Sequence, residues 1–146
     1  MTTRALTQRN FTAMGTTDPE RVRFGDFFYE RSAAAHVTCR VALSRDGRQF
    51  IGTAEGYASP LGDLRFGAEA AIHALEAMEP AIKLELIGVK VVRAFDANVV
   101  IAAVVLKTAA SSERLLGSYL AEGDVVRGAA LAILNATNRR LSLHHD

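Results

Sequence analysis

The chain has 146 residues, 17 of them Lys or Arg and 16 Asp or Glu, so it carries a net charge of +1, and 49% of it is hydrophobic. That length suits one domain whose core can stand without disulfides or metal. One cysteine, Cys39, excludes an internal disulfide and agrees with a reducing compartment; the apolar runs are too short and interrupted for a bilayer helix; and no basic stripe with interleaved aromatics marks a nucleic-acid binder. A cytoplasmic protein with neither nucleic acid nor membrane as partner is expected.

Residues 1–20 are polar, lack a period and end in TTDP before Glu20, which predicts a flexible N-terminal arm ahead of a single domain over 21–146. The stretch from Val22 to Arg31 is rich in β-branched and aromatic residues and reads as a strand. From His36 to Ser44 the pattern alternates, with Val37, Cys39, Val41 and Leu43 on one face. Asp46-Gly47 is the strongest turn signal and predicts a two-residue hairpin into a strand from Phe50 to Glu55. A loop from Gly56 to Gly62 follows. Asp63 is expected to cap a helix running to Met78, with Ala68, Ala71, Ile72 and Leu75 as its apolar stripe. Strands are then predicted over Leu84–Phe95, Asn98–Lys107 and Glu113–Ala121, and a helix capped by Asp124 and extending to Leu141.

The order strand, strand, strand, helix occurs twice, over about 21–79 and 83–141. In the helices DLRFGAEAAI (63–72) matches DVVRGAALAI (124–133) at a shift of 61; in the strands Val37, Val41 and Leu43 fall on Val100, Val104 and Leu106 at a shift of 63. Such agreement marks an internal duplication, hence an α+β fold of duplicated β-β-β-α units, with antiparallel sheet packed against two main helices. Gly67 and Gly128, inside helices where glycine costs about 1 kcal/mol relative to alanine, indicate close approach of a crossing helix, the sheet or a ligand. In the strand Val99–Leu106 both faces are apolar, which calls for cover on the second face and points to a homodimer.

No nucleophile elbow, zinc-protease helix, P-loop or dinucleotide fingerprint is present, so neither a catalytic residue nor a cofactor is expected. Cys39 reads as a small buried hydrophobe on its strand. Glu69 and His73, four apart on a helix, lack a third ligand and read as a solvated pair rather than a metal site; the terminal His144-His145-Asp146 offers only adventitious metal binding. What remains is two glycine-bearing approaches to helix starts. Gly52 and Gly56 lead to Asp63, and Gly117 and Gly123 lead to Asp124. Helix N-termini present unpaired N–H groups that suit a carboxylate or phosphate, and the two aspartates either satisfy those groups alone or share them with a ligand. These six residues are the candidate ligand-binding set.

At the same segments the chain resembles the C-terminal regulatory, dimerisation domain of 2-isopropylmalate synthase and citramalate synthase. GDVVRGA (123–129) followed by LNATNR (134–139) is similar to that family's closing pattern, and VALSRDGR (41–48) followed by GTAEG (52–56) to its hairpin and glycine-rich stretch, with Ala54 in place of the middle glycine. The resemblance spans about residues 21–141. It implies a duplicated β-β-β-α fold, pairing with a second copy, and a branched-chain amino acid bound near the helix starts, with control exerted on a separate enzyme partner. The competing expectation is a profilin-like or roadblock-like order, β-β-α-β-β-β-α, serving as an interaction scaffold with no small ligand.

Overall fold

The computed structural model describes residues 22–144, with side chains through Leu141. The N-terminal arm over 1–20 and the end of the histidine tail lie outside the described residues. The element order is β1 (Arg23–Arg31), β2 (His36–Arg45), β3 (Arg48–Tyr57), α1 (Pro60–Met78), β4 (Lys83–Ala94), β5 (Ala97–Lys107), β6 (Ser112–Ala121) and α2 (Val125–His144). Every predicted element is present, and the duplicated β-β-β-α order is the observed one rather than the profilin-like order.

Each half forms its own three-stranded antiparallel meander, β1-β2-β3 and β4-β5-β6. Asp46 and Gly47, at φ 55 and 78, make the two-residue turn between β2 and β3, as Asp-Gly favours. The equivalent turn between β4 and β5 is built from Phe95 and Asp96 at φ 54 and 59, although Phe95 is wholly exposed and has no preference for that backbone. β1 and β4 each carry one bulge, between Phe24 and Asp26 and between Leu86 and Gly88.

The helices lie between the sheets. α1 packs on β2 and β3 and reaches β4, α2 packs on β5 and β6, and the two helices pack on each other. Arg127 of α2 stacks over the ring of Phe24 in β1, 5.1 Å from its centroid. One core results, and Val37, Val41, Leu43, Leu75, Val100, Val104 and Ile133 are fully buried in it. Alanines at 68, 70, 71, 74, 129, 130 and 132, also without exposure, let the helices approach sheet and partner closely. Gly67 meets the backbone of Val126 where the helices cross, and Gly128 meets Val100 and Ala121 of its own sheet, so both helical glycines serve packing.

The register of the duplication differs from the one read in the sequence. Gly52 abuts Ala70 and Ala74 of α1, and Gly117 abuts Ala132 and Ala136 of α2, which sets the helices in correspondence at a shift of 62 rather than 61. Gly52 pairs with Val41 and Gly117 with Ala102, so β2 and β5 correspond at 61 rather than 63. The slip in the strands is two residues, which keeps every side chain on its own face. In the helices the slip is one residue, and it pairs Phe66, not Gly67, with Gly128. The physical reason is complementary filling: the Phe66 ring covers Gly56 in one half, while Gly128 lies against the Ala121 methyl in the other.

Candidate functional site

The six residues singled out in the sequence do not share one environment. Gly52 and Gly56 lie within β3 and Gly117 within β6, and all three face inward. A methyl on Gly52 would sit 2.9 Å from Cα of Ala74 and closer still to Ala70 O; one on Gly117 would sit 2.8 Å from Cα of Ala136. The space that a ligand would need at these two positions is taken by helix backbone. Gly56 is closed by the Phe66 ring. Gly123 alone is open, with no atom within 4 Å of a built Cβ.

The helix starts differ as well. Asp124 caps α2 as expected: its Oδ1 accepts from the N–H groups of Val126 and Arg127, both at 3.1 Å. α1 is capped instead by Ser59, whose Oγ accepts from Gly62 N–H at 2.9 Å, with Pro60 in the first turn. Proline, with its fixed φ and no N–H, suits a first helical position, so the helix begins one turn before Asp63. Asp63 falls inside that first turn. Its Oδ1 accepts back from Ser59 N–H at 3.2 Å and its Oδ2 from the Tyr29 hydroxyl at 2.8 Å. That hydrogen bond, ahead of desolvation and the Asp63 charge, raises the Tyr29 pKa above its ordinary value.

Cys39 is fully buried on the inner face of β2. Burial, with smaller contributions from the carboxylates of Asp63 and Asp124, pushes its thiol up to about 12. A protonated, enclosed thiol is a packing group. Glu69 turns to Arg65 at 3.5 Å, and His73 Nδ1 lies 2.6 Å from Thr53 O, so the two do not converge. Among the described residues, no group of three or more His, Cys, Asp or Glu could hold a metal ion. No helix among them is long and apolar enough to cross a membrane.

Two open surfaces stand out. A polar cleft of about 440 Å³ at the start of α2 is lined by Tyr119, Leu120, Ala121, Glu122, Gly123, Asp124 and Arg127. The other is the outward face of β4-β5-β6. β5 turns Ala97, Val99, Ile101, Ala103 and Val105 outward, flanked by Gly88 and Lys90 of β4 and by Leu116 and Leu120 of β6. Leu116 is 69% exposed and Leu120 52%, and a shallow apolar hollow of about 300 Å³ lies between Gly88, Ala103 and Leu116. At the corresponding positions β2 carries His36, Thr38, Arg40, Ala42 and Ser44. The central strands therefore differ, β2 being the more polar outward and β5 the more apolar, although beside β2 the first sheet also exposes Phe28 at 40% and Ile51 at 46%. The sequence showed this through β5; it did not show Leu116 and Leu120, because both faces of β6 carry leucines and no alternation separates them.

No protein-family model matches the chain and no curated protein matches it. The duplicated unit agrees with a regulatory-domain-like fold, and nothing ties it to 2-isopropylmalate synthase in particular.

Proposed function

We propose that this chain is a non-catalytic, cytoplasmic pairing module, two copies of which associate through the outward face of β4-β5-β6. The observation that carries this reading is the contrast between the two outward faces. Val99, Ile101, Ala103 and Val105 stand where the other half has Thr38, Arg40, Ala42 and Ser44. Both halves have the same architecture, so the difference does not come from folding needs. Val99, Ile101, Ala103 and Val105 are half-buried, and beside them Leu116 and Leu120 stand exposed; covering an exposed leucine completely is worth roughly 1.5–3 kcal/mol, which a monomer forgoes. Sedimentation over a range of micromolar concentrations tests the reading. A homodimer is expected, and a monomer at every concentration overturns it.

A second reading, binding of a small carboxylate such as an amino acid, is supported by the cleft at Gly123. Its geometry differs from the one expected in the sequence: Gly52, Gly56 and Gly117 lie against packed groups, while Gly123 and Asp124 line an open polar cleft together with Tyr119, Glu122 and Arg127. Control of a separate enzyme would then follow from the ligand's effect on pairing. A thermal-shift screen of amino and keto acids tests it, since a ligand binding only the folded form raises the melting temperature with the logarithm of its concentration. Gly123→Val should abolish the shift without loss of fold. A screen with no shift removes this reading and leaves the pairing module.

A further inference from the structure

We propose that the pairing is isologous, about a two-fold axis parallel to β5, so that β5 lies over its own copy and β4 of each chain lies over β6 of the other. The inference rests on the pairing reading above and specifies its partner and geometry. Across the outward face the residues stand in rows, one from each strand. Glu85, Val105 and Arg114 form one row, and Gly88, Ala103 and Leu116 the next. A two-fold parallel to the strands keeps each row at its own height and exchanges its two ends. Glu85, whose carboxylate lies 3.1 Å from Lys107 in its own chain, then also faces Arg114 of the second copy, and Arg114 faces Glu85, giving two opposite-charge contacts, while Lys107 at the end of β5 comes opposite its own copy. In the same operation Leu116, which projects from β6, meets the hollow over Gly88, where a Cβ would find no atom within 4 Å. Knob meets notch twice, once on each side of the axis.

An in-plane two-fold perpendicular to the strands instead lays β4 on β4 and β6 on β6. It opposes neither Glu85 to Arg114 nor Leu116 to Gly88. Of these two axes, the strand-parallel one brings Glu85 to Arg114 and Leu116 to Gly88, and a two-fold closes the assembly at two copies. The area suffices. Three strands about 4.8 Å apart and ten residues long at about 3.3 Å each, with overhanging side chains, offer about 700 Å² per copy, close to the ~800 Å² per partner of a standard interface. Sheets pack face to face about 10 Å apart and about −30° from alignment, an angle small enough to keep the rows in register over three strands.

The test is a charge exchange read by sedimentation equilibrium. Glu85→Arg and Arg114→Glu should each weaken the dimer by roughly tenfold or more, because each creates two like-charge contacts per dimer. The double variant Glu85→Arg/Arg114→Glu should dimerise more tightly than either single variant, short of the wild type because the new arginine stands beside Lys107. In parallel, Gly88→Leu should leave the monomer folded by circular dichroism and weaken the dimer, and adding Leu116→Ala should restore it. If the wild type dimerises but the single variants pair as it does, or weaken without rescue by the double variant, this geometry is wrong and the copies meet otherwise. If the wild type does not dimerise at all, it is the pairing reading that fails.

Discussion

Replacing Gly52 by alanine asks most directly what the glycines of the sheets are for. In a strand, glycine to alanine ordinarily gains about 0.5–1 kcal/mol, since the unfolded chain loses freedom and the strand loses nothing. Here the added methyl would lie 2.9 Å from Cα of Ala74 and nearer to Ala70 O, on a helix face that also buries Ala71 and Leu75 completely. Ordinary contact lies near 3.4–4 Å, so α1 and β3 must part by about 1 Å. A gap of that size forfeits a quarter to a half of the dispersion energy of the contacts it opens. Overpacking of a closed core costs about 1–3 kcal/mol. With backbone as the obstacle, the upper part of that range is expected, near 3 kcal/mol, or roughly 10 °C in melting temperature for a domain of this size. Gly117→Ala should behave alike, because its methyl would lie 2.8 Å from Cα of Ala136. Gly123→Ala, with nothing within 4 Å, should stay within about 0.5 kcal/mol of the wild type. Urea unfolding with an unchanged m value is the assay. If Gly52→Ala is as stable as the wild type, the helix is not seated on that glycine and the closed-site argument falls.

Cys39 should react with a thiol reagent only on unfolding, since its thiol is enclosed and its pKa is pushed up to about 12. The linkage follows from that rise: the thiol's contribution to stability is whole below the unfolded value of about 8.5 and is lost as pH climbs toward 12. The difference in stability between wild type and Cys39→Ala should therefore fall by about 1.4 kcal/mol per pH unit above ~9, and a difference that stays flat would contradict the burial. Asp63→Asn should move one tyrosine's ultraviolet titration to lower pH, and the change should vanish in a Tyr29→Phe background; its persistence there would assign the hydrogen bond wrongly. Phe95→Asn with Asp96→Gly, at two left-handed turn positions, should stabilise the domain by about 1 kcal/mol, and a fall in melting temperature would refute the turn assignment. Thr38→Val with Arg40→Ile, on the outward face of β2, should produce species larger than a dimer in light scattering, and an unchanged dimer would show that this face does not limit assembly.

The elements were legible because each carries a local signal. Asp46-Gly47 demands its turn, β2 alternates strictly, and the alanine stripes have the period of a helix. The register of the repeat was less legible, because identity of letters is not identity of place. Gly67 and Gly128 match as characters, but the structure pairs Gly128 with Phe66, since one half fills the space beneath the sheet with a ring and the other with a neighbouring methyl. The start of α1 was missed for a related reason. Asp63 looks like a cap, yet Ser59 followed by Pro60 begins the helix a turn earlier, and Asp63 serves the cap from inside. That a helix backbone lies over Gly52 and Gly117 was not legible, because a glycine that admits a ligand and one that admits a helix look alike until the helix is in place. Gly52 and Gly117 lie within strands under a helix, whereas Gly123 sits between β6 and α2 with nothing over it.

The two outward faces, taken together, say how far assembly can run. Duplication of a β-β-β-α unit with an apolar outer face would leave two such faces on one chain. Copies stacking through both would add without end, since each new contact leaves another face open. Closure at two copies requires one face to be withdrawn, and the first half has the residues that do so. Arg40 covers the Phe28 ring at 5.1 Å, and His36 lies 3.3 Å from Glu55 and edge-on to Tyr57. These groups set charged and polar neighbours beside the aromatic rings of β1 and β3, which remain partly exposed. On the second half Leu116 and Leu120, at 69% and 52% exposure, have no charged group stacked on them, beside half-buried Val99 and Ile101. A polar first sheet and an apolar second one are thus two parts of a single specification, the first limiting what the second begins.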